Sequence, residues 1–175
     1  MKYSRNSTVR STLVASFWVA ILSLMTFNTW AEDYWRSERI TPVDLDYIKV
    51  QHTAIDELAR RHFGRILNGD KHNDISIVQR LLDEKVIDES ETRQLQAIGI
   101  ILGELLRVEH HLNWVVYVDK YGRSRALQVQ GFEKEFIFPA TQVSRKAEVG
   151  IRVNVMDVYK ELEKTITVIR KKPPF

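Results

Sequence analysis

The densest run of reactive side chains is Asp70-Lys71-His72-Asn73-Asp74. Two carboxylates, an ammonium, an imidazole and an amide share one short turn ahead of an apolar-periodic stretch. A turn of that kind can hold an anion at a helix N-terminus, and its histidine can move protons near neutral pH. Each residue also has an ordinary duty: Asp70 turns the chain, Asn73 or Asp74 caps a helix, and Lys71 is solvated. Arg123 and Arg125 follow the turn Asp119-Lys-Tyr-Gly122 and can grip a carboxylate or phosphate. Arginines at a strand start also discourage edge pairing. Asp70, Lys71, His72, Asn73, Asp74, Arg123 and Arg125 form the candidate binding set.

The histidines offer a second chemistry. His52 and Asp56 are four apart on an expected helix and can present two metal ligands on one face. His52 and His62 fall on the apolar stripe of that helix, where a packed, hydrogen-bonded histidine is the usual outcome. Glu109-His110-His111 ends another expected helix, and the helix dipole alone favours cationic histidine there. No HExxH follows, so neither a metal nor a cofactor is expected. The chain also lacks a Gly-x-Ser-x-Gly elbow, a P-loop and a dinucleotide fingerprint. Ser124 and Ser144 each neighbour an arginine, but no interpretable motif supplies a base.

These residues need elements to position them. The 175-residue length suits about one domain. Residues 1–31 read as a secretory signal peptide: Lys2, Arg5 and Arg10 without an acid, the apolar run Leu13 to Phe27, then Thr29-Trp30-Ala31 before Glu32. The alternative is an uncleaved N-terminal anchor, though the run is shorter than the roughly 20 residues a span needs. Without the three signal cations, the 26 Lys+Arg fall to 23, matching the 23 Asp+Glu. The net charge of +3 therefore resides in the signal and gives no argument for nucleic acid. There is no cysteine, which excludes disulfides, thiol nucleophiles and thiolate metal sites.

Residues 32–40 read as a polar mature extension, 41–170 as a single domain and 171–175 as a C-terminal tail. Thr41-Pro42 starts a helix with Leu45, Ile48, His52, Ile55, Ala59 and His62 on one face, and Gly64 stops it. A second helix follows with Ile75, Val78, Leu81 and Leu82 inward. Asp88-Glu-Ser-Glu91 resembles a capping box for a third, apolar over most of its circumference and therefore central. Gly99 and Gly103 on it predict close approach of another element. After Leu112 the period becomes two, predicting strands at about 113–118, 123–129 and 134–138. Trp114, Val116 and Val118 alternate with Val115 and Tyr117, so the first of these strands has apolar residues on both faces. Residues 139–150 read as a short helix or ordered loop, and Asn154 with Asp157 caps a last amphipathic helix. The expected fold is α+β, helices packed on a three-stranded antiparallel meander, in the order α-α-α-β-β-β-α.

Three stretches, "RRHFGRILNGDKHNDISIVQRLLDE" (60–84), "LNWVVYVDKYGRSRAL" (112–127) and "FIFPATQVSRKAEVG" (136–150), together resemble a bacterial family catalogued as domain of unknown function 3806. The resemblance covers roughly residues 55 to 165. It implies a compact α+β domain and supplies no reaction, ligand or catalytic residue.

The expectation is an exported, periplasmic, non-enzymatic domain that binds a protein or peptide, inhibitor- and immunity-type factors included. Neither nucleic acid nor, once the signal is removed, a membrane is an expected partner. Two alternatives stay open. One is a small envelope hydrolase or metal-dependent enzyme built on the 70–74 loop with His110 or His111. The other is a structural or stress-related envelope protein.

Overall fold

The computed structural model describes residues 34–173. The expected signal peptide, the start of the extension and the end of the tail lie outside the described residues. The elements in chain order are β1 (Trp35–Arg39), α1 (Pro42–Phe63), α2 (Lys71–Asp83), α3 (Thr92–His110), β2 (Asn113–Asp119), β3 (Gly122–Gln128), β4 (Phe136–Ile137), α4 (Pro139–Glu148) and α5 (Val155–Arg170). The class is α+β, as the pattern implies.

The sheet has four strands rather than the expected three, ordered β1-β2-β3-β4. All neighbouring pairs are antiparallel. The added strand lies in the stretch read as an extension. Its residues WRSER carry no apolar alternation and stay largely exposed, so periodicity is blind to it. It forms because β2 offers a ladder edge, with Trp35 opposite Asp119 and Arg39 opposite Val115. β4 is shorter than expected because the chain turns into α4 at Pro139, which lacks a ladder N–H. Residues 139–148 are helix, so the order gains an element there too.

The core collects on α3, where Leu95, Ile98, Ile100, Ile101, Leu102, Leu105 and Leu106 are all buried. Its glycines are the close approach. A Cβ on Gly99 would strike the Pro139 carbonyl oxygen and lie 2.7 Å from Ala140 Cα; one on Gly103 would lie 2.7 Å from the Trp114 ring.

On α1 the buried stripe is Asp44, Ile48, Gln51, Ile55 and Ala59. Leu45 is half exposed and His62 exposed, which corrects the phase expected from the sequence. Asp44 takes an inward position because it is committed to the capping box: its carboxylate accepts from the Thr41 hydroxyl at 2.6 Å while its N–H donates to Thr41 Oγ1 at 3.2 Å. Gly64 ends the helix in the left-handed conformation, φ 62°. Gly122 closes the β2–β3 hairpin at φ 126°, and Asp119 accepts the Tyr121 N–H at 2.8 Å.

Candidate functional site

The Asp70–Asp74 turn is built mainly to hold itself together. Asp70, rather than Asn73 or Asp74, is the N-cap of α2, accepting the Asn73 N–H at 2.8 Å. Asp74 is 1% exposed and accepts the N–H groups of Asn68 and Gly69, each at 3.0 Å. The Asn73 amide donates to Asp74 at 2.9 Å and to the Ile66 carbonyl at 3.0 Å, and accepts from Arg65 at 2.6 Å. A buried carboxylate satisfied by two backbone donors is a turn staple. Asp56, paired with His52 in the sequence reading, instead accepts the Leu67 N–H at 2.7 Å and Arg60 Nε at 2.8 Å.

Lys71 reaches away from this turn. Its Nζ donates to both oxygens of Glu109 at 2.7 and 2.9 Å and lies 3.7 Å from Glu163. The buried Tyr159 hydroxyl donates to Glu109 at 2.6 Å. The hydrogen bonds from Lys71 and then Tyr159 hold the Glu109 carboxyl below the usual carboxylate range. The Glu109 contact raises the Lys71 ammonium above its usual value, and burial followed by the Glu109 hydrogen bond pushes the Tyr159 phenol upward. His110 Nε2, 3.4 Å from Glu163, is buried without a hydrogen bond. Glu109, His110 and Glu163 each offer a ligand atom within 4.8 Å of the others. Lys71 supplies a cation to both carboxylates, so Glu109 and Glu163 are already charge-paired within the chain, and His110 Nε2 is the one buried atom of the group left without a hydrogen bond.

Arg123 and Arg125 serve a different centre. Arg125 Nη2 lies 2.9 Å from Asp44 Oδ1, and its guanidinium sits 3.8 Å above the Tyr47 ring. Arg123 lies 3.7 Å from Asp44 and 3.6 Å from Glu38. Burial pushes the Asp44 carboxyl upward, but the Thr41 hydrogen bonds and the two arginines outweigh it and hold it below the usual range. These arginines therefore lock the sheet to the start of α1. The 70–74 turn is tied to the other end of α1 through Asp56 and Leu67. At a rise of ~1.5 Å per residue, Asp44 and Asp56 stand about 18 Å apart along the helix. The seven candidate residues thus form separate clusters.

His72 is the member of the set that lines a groove, one of about 600 Å³ shared with Ile75, Gln79, Asp83, Arg152, Val153 and Met156. The Gln79 side chain shapes one wall, donating to the Val153 carbonyl at 3.2 Å and accepting the Val155 N–H at 2.8 Å. A second groove of about 330 Å³ adjoins it and shares Asp83, Arg152 and Val153. The ridge between them is the Arg152–Asp83 ion pair, 3.1 Å long, with the arginine side chain 86% exposed. Val149 and Ile151 stand exposed on the same connection. The sequence signal missed here was Val149, Ile151 and Val153 alternating with Gly150 and Arg152, a stretch that pairs with no strand among the described residues.

This fold, a four-stranded antiparallel sheet with helices about an apolar α3, defines a domain of the α+β class. A crystal structure from Bacteroides thetaiotaomicron VPI-5482 shares it, with a TM-score of 0.67 at 19% identity. The match covers 75% of this chain and 48% of that one, so the chain spans about half the length of that protein. Residues 74–159 match the family described as Domain of unknown function (DUF3806), and over that stretch the chain resembles this family. No curated protein matches the sequence.

Proposed function

We propose that the protein is an exported cell-envelope domain that binds a peptide segment of a partner without chemically altering it. The segment lies in the double groove between α2 and the 149–154 connection. The observation that carries this reading is the groove's construction: an apolar floor of Ile75, Val153 and Met156, continued by Ile87 and Leu95, beside the connection on which Val149 and Ile151 stand exposed. Asp83, Asp88 and Glu89 outnumber Lys85 and Arg152 around the second groove. The ligand chemistry that fits is an apolar anchor followed by a Lys or Arg. The exposed Arg152–Asp83 pair contributes at most about 1 kcal/mol, so an incoming cation displaces Arg152 at little cost.

Peptides selected from a random display library against the full chain test the reading. The expected result is enrichment of apolar-basic segments, amide shifts at Ser76, Gln79 and Val153, and affinity at least tenfold weaker for Met156→Asp. Peptides that perturb only other surfaces overturn it. Export is tested by fractionation and mass spectrometry, the expected mature N-terminus being Glu32.

A metal-dependent reading rests on one observation, the proximity of Glu109, His110 and Glu163. The groove beside this cluster is lined by His72 but by none of Lys71, Glu109, His110 or Glu163, so that groove gives a substrate no access to it. Titration with Zn²⁺ is expected to leave the melting temperature unchanged; a rise of several degrees favours the metal.

A further inference from the structure

The outer edge of β1 points to a second copy of this chain. β1 is an end strand of the sheet, and no described strand pairs with its far side. An end strand presents a row of outward N–H and C=O groups and invites another strand. The residues on it are neither apolar nor of one charge; they are Trp35, Arg36, Ser37, Glu38 and Arg39.

Antiparallel pairing of two copies about Ser37 places residues whose numbers mirror each other around 37 in direct opposition. Arg36 then faces Glu38 of the second copy, and Glu38 faces Arg36 of the second copy. Trp35 faces Arg39 of the second copy, a cation–π pair, and Ser37 faces its own equivalent. Every opposed pair is favourable, and the two-fold axis makes each one occur twice except the Ser37 pair, which lies on the axis. Shifting the register by two residues in the direction that pairs Ser37 with Arg39 sets Glu38 against its own copy, like charge on like, so the charges select one register.

The two faces of the sheet agree with this register. Residues opposed in an antiparallel ladder share a face. Arg36 and Glu38 already lie together on the helix side, paired at 2.7 Å within one chain. The second copy turns that pair into a two-by-two checkerboard of alternating charges. Trp35 lies on the other face, stacked on Tyr117 at 5.9 Å and edge-on to Phe136 at 5.4 Å. Tyr117 also meets Phe138 at 5.2 Å. An arginine arriving from the second copy extends this aromatic row. We infer that two copies join β1 to β1 in an antiparallel, Ser37-centred register, making one continuous eight-stranded sheet, a contact distinct from the peptide groove.

The absence of native cysteine makes the register directly testable. Ser37→Cys places two thiols across the axis, where opposed Cα atoms stand roughly 4.5–5.5 Å apart, inside the range a disulfide spans. Ser124→Cys, exposed on β3, is the control: five strand spacings of about 4.8 Å separate its copies, about 24 Å. Mild oxidation of lysate containing the full chain, read on a non-reducing gel, is expected to give at least tenfold more covalent dimer for Ser37→Cys. On that background Glu38→Arg reduces the dimer severalfold, Arg36→Glu does the same, and the double exchange restores it. Far-UV circular dichroism of each variant confirms that the sheet is intact. Equal cross-linking at the two positions, failure of the double exchange to restore the dimer, or cross-linking of Ser37→Cys to another protein overturns the inference.

Discussion

Asp44 shows what a single residue does here. Its side chain is 4% exposed and faces two arginine side chains, and it also closes the cap of α1. Asp44→Ala removes the carboxylate half of the capping box, leaving the Thr41 bond to the backbone N–H, and strands the Arg125 guanidinium, whose Nε already lacks a partner. The expected loss is about 2–4 kcal/mol, read as a shift in the urea midpoint. The pH dependence has a definite sign. The carboxyl is depressed in the folded state, so its contribution is present above the unfolded value and disappears as pH falls through the folded one. The stability gap between wild type and Asp44→Asn is therefore expected to narrow on acidification below about pH 4. Lys71 and Glu109 act as a second pair. Glu109 is depressed and Lys71 raised, so the pair contributes at neutral pH and loses that contribution at both extremes. Lys71→Met is expected to move the Glu109 carboxyl titration upward in NMR. Both groups are partly exposed, so the stability change stays below about 1 kcal/mol.

At the scale of elements, the packing of α3 on α4 and β2 sets the strictest demand. The Pro139 carbonyl and Ala140 backbone cannot move away from a new methyl on Gly99 without parting the helices. Gly99→Ala is expected to cost about 3 kcal/mol. Gly103→Ala is expected to cost less, because the neighbour is the Trp114 ring, held by a hydrogen bond from its Nε1 to Glu104. Tilting that ring weakens the bond, which Trp fluorescence and thermal melts detect. The two glycines were legible as a close approach because spacing alone places them on one helix face. The helix starts were legible only as regions. Three acceptors compete between Asp70 and Asp74, and Asp70 wins because Asp74 is committed to the backbone of Asn68 and Gly69. Before α3, Glu91 accepts the Asp88 N–H at 2.8 Å and Asp88 accepts the Ser90 N–H at 3.0 Å. That box closes the loop, and α3 starts after it without a side-chain cap.

For the whole molecule, the α+β class, the hairpin and the central α3 could be read from the chain because each buries a periodic apolar face. β1 and the groove could not. β1 exists only through its partner, and the groove arises where Gln79 holds the backbone of residues 153 and 155, far along the chain. β1 leaves no apolar period, and the alternation of Val149, Ile151 and Val153 reads as a strand where the chain runs as an open connection. Removing residues 1–39 makes β2 the sheet edge, with Trp114, Val115, Val116 and Val118 beside it, all at most 9% exposed in the intact sheet. The expected outcome is a destabilised chain that scatters light at concentrations where the full chain stays clear.

The pairing of β1 with β2 also orders events in time. Synthesis delivers the first strand of the sheet well before its neighbour, because α1, α2 and α3 all lie between them. Until Asp119 emerges, β1 has no ladder to join. A strand obliged to wait in water does best with a sequence that water tolerates, and WRSER, with three charges in five residues, meets that condition. The composition that hid β1 from periodicity is therefore suited to a strand whose partner arrives late.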